Sequence, residues 1–79
     1  MITVLRKSGL SVVIYSFDHD PPHVHVIGDG STKIQLVGWN GLPEVMSVRG
    51  MKFGDVQKAL RAVTENQAML LGLWRQIHG

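Results

Sequence analysis

The chain has 79 residues, 44% hydrophobic and 18% charged, with a formal net charge of +2 and no cysteine. That excludes disorder on composition alone, a disulfide framework and a thiolate metal site, and it fits a reducing cytoplasm. The basic residues (Arg6, Lys7, Lys33, Arg49, Lys52, Lys58, Arg61, Arg75) are scattered rather than gathered into a block that tracks a phosphate backbone, so nucleic-acid binding is permitted but not indicated.

Such a length suits one domain over residues 1–79. A chain this small buries only about 60% of the surface exposed when unfolded, so oligomerisation is a natural supplement. The longest apolar run is a few residues, so neither a signal peptide nor a membrane span is expected.

In chain order, Thr3-Val4-Leu5 is apolar and β-branched, and Lys7-Ser8-Gly9 supplies a turn before the run Leu10 to Phe17. The loop Asp18 to Pro22 leads into a strand over His23 to Ile27, and Gly28-Asp29-Gly30 makes a tight turn. Thr32 to Val37 alternates polar and apolar residues, Gly38, Asn40 and Gly41 mark the next turn, and Glu44 to Val48 reads as an edge strand with Pro43 at its start. From Gly54 the period changes: Val56, Leu60, Val63, Leu70, Trp74 and Ile77 recur at helical steps, with Gln67 interrupting the stripe and Gly72 weakening the C-terminal half.

The expected fold is therefore α+β: an antiparallel sheet of four to five short strands, spanning residues 2–48, with one C-terminal α-helix over 54–77 packed across one face. Side chains alternate along a strand, so Val24 and Val26 are expected beneath the helix, with His23 and His25 on the open face. Ile34 and Leu36 would point inward in the same way, leaving Lys33 and Gln35 outward. Trp74 and Leu70 are read as core. Met69, Leu71 and Leu73 widen the apolar arc beyond what one sheet face needs, which suggests a homodimer or partner surface.

The segment His19-Asp20-Pro21-Pro22-His23-Val24-His25-Val26 places three of the four histidines within seven residues, beside carboxylates and a stiff diproline. Two histidines at i and i+2 lie roughly 6.5–7 Å apart along a strand face. That spacing suits a divalent metal such as zinc, with His19, Asp18 or Asp20 as a third ligand, and His19, His23 and His25 form the expected metal set. It equally suits a general acid and base, with His23 and His25 as catalytic residues and Lys33 stabilising charge on a phosphate. The plainer reading is polar residues on a solvated or partner-covered strand face. His19, Asp20, His23, His25, Lys33 and Trp39 are the candidate binding residues. Trp39 stands in a glycine-flanked turn, either as an exposed contact or folded back on the sheet edge. No glycine-rich phosphate loop, nucleophile elbow or His-Glu-x-x-His motif occurs.

From Tyr15-Ser16 through Asp18-His19-Asp20-Pro21-Pro22-His23-Val24-His25-Val26 the chain resembles a family of small bacterial proteins, domain of unknown function 4160. The family is marked by an aromatic strand, a Pro-Pro-His-x-His core, a following lysine and a C-terminal helix ending near a tryptophan. Lys33 stands at the lysine, and Glu65-Asn66, Leu70-Leu71 and Trp74 match the helix end. The chain departs from the pattern between Gly38 and Lys52, and Lys52 stands where a serine-like helix cap is expected. The resemblance implies one member of a toxin–antitoxin-type pair that binds a protein partner. The alternatives are a His-dependent, metal-assisted nuclease or phosphodiester hydrolase, and a metal-binding domain.

Overall fold

Short turns between alternating apolar and polar runs leave successive strands no neighbour but one another. A computed structural model describing residues 1–79 contains β1 (Ile2–Lys7), β2 (Leu10–Ile14), β3 (His23–Gly28), β4 (Gly30–Gln35) and β5 (Glu44–Arg49). They form one sheet in sequence order with every adjacent pair antiparallel. Two helices follow, α1 (Phe53–Glu65) and α2 (Gln67–His78). The α+β class and the antiparallel sheet are as the sequence indicates.

The single helix expected over 54–77 is two. Asn66 leaves helical geometry at φ −118° and ψ 20°, its amide bonds to the Val63 carbonyl at 3.2 Å, and its side-chain amide donates to the Ala62 carbonyl at 2.8 Å. An asparagine that satisfies freed carbonyls with its own side chain gives the backbone an alternative to continuing the helix. Gln67 then donates through Nε2 to the carbonyls of Leu36 and Gly41, both at 2.8 Å, which ties the break to the β4–β5 connection. Gly72, the suspected weak point, lies inside α2. Lys52 takes the N-cap position of α1 without a side-chain hydrogen bond, while Asp55 in the first turn suits the helix dipole.

The strand expected to run from Leu10 to Phe17 stops at Ile14, because Tyr15 to Asp18 forms a turn closed by the Asp18 amide on the Tyr15 carbonyl at 3.1 Å. The β3–β4 turn needs glycine: Gly30 has φ +90°, and a Cβ there would collide with the Gly50 carbonyl carbon. The tip of this hairpin therefore packs directly on the chain leaving β5.

One sheet face carries Val12, Ile14, Val24, Val26, Ile34 and Leu36 against Ala59, Val63, Leu70 and Trp74 of the helices. Burying a Val, Leu or Ile side chain contributes about 1.5–3 kcal/mol, so this cluster is the main stabilising term. Leu71 and Leu73 also pack half-buried against it, leaving Met69 as the exposed part of the apolar surplus. On the opposite face two rows cross the sheet. Val13, His25, Lys33 and Ser47 stand opposite one another on β2 to β5, as do Ser11, Ile27, Ser31 and Arg49.

Candidate metal centre

The turn after β2 delivers Asp18 to the start of β3. Its Oδ2 accepts the Tyr15 amide at 3.4 Å, which folds the carboxylate back over the turn. The same oxygen lies 3.4 Å from Nε2 of His23 and 3.2 Å from Nε2 of His25. All three candidate ligand atoms lie within 4.8 Å of one another. The two imidazoles meet edge to face with centroids 5.2 Å apart.

The other ring nitrogen of His23 fixes the chemistry of this contact. Nδ1 lies 2.8 Å from the Pro21 carbonyl, which can only accept, so Nδ1 carries a proton and Nε2 is the nitrogen left to bind a metal ion or to donate to Asp18. Nε2 faces a carboxylate oxygen, and a proton or a metal ion between them satisfies both atoms. Metal-binding histidines characteristically donate their second ring N–H to a carbonyl or carboxylate in this way. The separations of 3.2 and 3.4 Å are those of a hydrogen bond and an ion pair, and they are also close to the edge of about 3.3–3.4 Å in a tetrahedron with ligand bonds of about 2.0–2.1 Å, while the third separation, between the two imidazoles, is bounded only at 4.8 Å.

His25 contributes the second imidazole. Burial lowers its pKa below the ordinary 6.5, with the His23 and Lys33 charges acting in the same direction and the Asp18 carboxylate opposing them. A neutral imidazole is what a metal ion requires, so protons compete less at this ring. Tyr15 packs its ring edge to face on His25 at 4.6 Å and holds the ring's orientation.

His23 departs from the expectation of an open face at both histidines. It is 7% exposed, because Trp74 of α2 covers it with ring centroids 5.2 Å apart. His78 stacks on Trp74 at 3.7 Å and reaches the Tyr15 carbonyl through Nε2 at 3.2 Å, closing the end of α2 over the same corner. His25, with 22% of its side chain exposed, is the ligand candidate that meets solvent.

The remaining sequence candidates fall elsewhere. His19 and Asp20 are exposed and outside the cluster, so the third member is Asp18 rather than His19. The turn that aims Asp18 inward ends before them, and the Asp20–Pro21 bond is cis. Lys33 stands directly opposite His25 on β4, within reach of its charge. Trp39 is 91% exposed on the β4–β5 connection, not folded onto the sheet edge. Sequence reasoning did not single out Arg49, Ser31 or Ser47, which join His25, Lys33 and Tyr15 around a depression of about 300 Å³ on the open face. Strand alternation could have placed Arg49 there, but only with the β4–β5 register in hand.

A family profile described as Domain of unknown function (DUF4160) matches residues 9–75. No curated protein and no solved structure matches the chain. No helix is long and apolar enough to cross a membrane.

Proposed function

We propose that this chain, which belongs to the family Domain of unknown function (DUF4160), is a divalent-metal-binding domain centred on Asp18, His23 and His25. The observation that supports this most directly is the convergence of two imidazole Nε2 atoms on one carboxylate oxygen at 3.2 and 3.4 Å. Two histidines and one carboxylate make a three-ligand set, which leaves a position open for water or substrate, the pattern of catalytic rather than structural sites. A bound ion would supply a Lewis acid and activate water near neutral pH, so hydrolysis is the reaction class that fits.

Within this reading His23 anchors the ion from the buried side, its Nδ1 held by the Pro21 carbonyl. Asp18 neutralises charge, and His25 holds the ion toward the solvent-filled face. The purely organic alternative, with His23 and His25 as acid and base on a substrate, is less well supported because Trp74 shields His23 from any ligand large enough to be cleaved. Isothermal titration with zinc, cobalt and manganese tests the proposal: one ion bound per chain, lost in Asp18→Asn, is the expected result. An undetectable heat with all three ions contradicts it.

A second reading, an interaction module of a toxin–antitoxin-type pair, is favoured by the Trp39 loop. Its tip is preorganised: the Gly38 amide donates to the Leu42 carbonyl at 2.7 Å, and Gln67 holds the Gly41 carbonyl at 2.8 Å. On this stiff turn Trp39 and Leu42 are exposed, and neighbouring β5 is an edge strand with Met46 and Val48 uncovered. Rigid exposed aromatics are the common anchors of protein interfaces. The two readings use different surfaces and are compatible in one molecule.

A further inference from the structure

The depression beside the candidate metal centre has a charge character of its own. Ser31 and Ser47 place small side chains on β4 and β5, leaving room between the longer Lys33, Arg49 and Tyr15 that surround them. No carboxylate lines it. Neither Lys33 nor Arg49 joins any ion pair in the chain: the pairs formed are Lys7 with Glu65, and Asp18 with His23 and His25. Two unpaired cations and two hydroxyls around one concavity form a donor set with nothing inside the chain to satisfy it.

We infer that this depression binds the phosphoryl group of a small phosphate ester, with Lys33 and Arg49 on its oxygens and His25 at its edge. A guanidinium presents a planar fork suited to two phosphate oxygens, and an ammonium adds a point charge. Ser31 and Ser47 supply neutral donors, and the ring of Tyr15 offers an apolar wall for the alcohol part of the ester. A volume of about 300 Å³ is at the small end of ligand sites and limits the ligand to the size of a mononucleotide. A polynucleotide would need cations continuing along a track, and Lys58, Arg61 and Lys7 instead line a separate hollow at α1 and the β1–β2 turn. The metal reading decides what happens to the ester, since His25 borders both sites, but capture of the phosphoryl group depends on Lys33 and Arg49.

The test is calorimetric titration of metal-free protein with phenyl phosphate, repeated in Lys33→Gln and Arg49→Gln, with circular dichroism confirming that both variants are folded. Saturable binding weakened about tenfold or more by each substitution is expected, as for the loss of one charge-assisted hydrogen bond. Absence of binding, or binding unchanged in both variants, overturns the inference. A single-stranded RNA hexamer that binds tenfold tighter than phenyl phosphate overturns the small-ester assignment. Zinc titration of the same samples separates the two claims: a chain that takes phenyl phosphate but no zinc keeps this inference and loses the metal centre, and the reverse keeps the centre alone.

Discussion

Nε2 of His23 and Oδ2 of Asp18 face each other at 3.4 Å while Nδ1 of the same ring is committed to the Pro21 carbonyl. With that ring neutral, two electron-rich atoms face each other beside Trp74, an arrangement that a proton or a metal ion between them satisfies, and the second imidazole on the same oxygen adds a third ligand atom.

Zinc should raise the melting temperature of the wild-type chain. At a free concentration of 100 times Kd the gain is about 2.7 kcal/mol, because only the folded state assembles all three ligands. In His25→Ala and Asp18→Asn the increment should vanish, read by differential scanning fluorimetry. His19→Ala should keep it in full, since His19 lies outside the cluster.

Acid should weaken the metal-free fold through His25. Its folded-state pKa lies below the ordinary 6.5, chiefly from burial, so the unfolded chain binds a proton where the folded chain does not. Stability present above pH 6.5 is therefore lost as the pH falls below that value. Urea denaturation between pH 7.5 and 5 should show this slope, and His25→Gln should flatten it. A wild-type protein that becomes more stable on acidification would contradict the account.

Leu70→Ala should cost about 2–5 kcal/mol, since the side chain is fully buried among sheet and helix residues. Gly30→Ala should cost at least about 2 kcal/mol, combining a positive φ with a Cβ set against the Gly50 backbone. Chemical denaturation measures both. A Gly30→Ala protein of wild-type stability would mean that the β3–β4 turn does not rest on the chain after β5.

Trp39→Ala should leave stability nearly unchanged, because the ring touches little of the chain. If the interaction reading holds, the same change should weaken binding to a co-expressed neighbour-encoded protein by about 2 kcal/mol or more, some thirtyfold in Kd. Size-exclusion chromatography and calorimetry of the co-purified pair would read this. A pair that binds equally well without the ring would place the interface elsewhere.

Much of the scaffold was legible in the residues because it follows from period. Val24 and Val26 alternate with His23 and His25, and the meander needs only the glycine turns between its strands. The site was legible in part. His23, His25 and Lys33 follow from alternation and register, but Asp18 does not, because its place depends on a turn that folds the carboxylate back on the Tyr15 amide. The exposed His19 is a better ligand by residue type, and nothing in spacing alone prefers its neighbour. The break at Asn66 was equally hidden: the apolar stripe runs through it, and only the side-chain bonds of Asn66 and Gln67 to distant carbonyls reveal why the helix divides. The burial of His23 depends on Trp74 and His78 arriving from the far end of the chain, a tertiary contact with no local signal.

The most direct measurement is a crystal structure of the zinc-loaded protein with diffraction data collected on both sides of the zinc absorption edge. The account predicts one anomalous peak about 2.0–2.2 Å from Nε2 of His23, Nε2 of His25 and a carboxylate oxygen of Asp18. A fully loaded crystal whose zinc lies elsewhere, with those three side chains bonded only to one another, would contradict it.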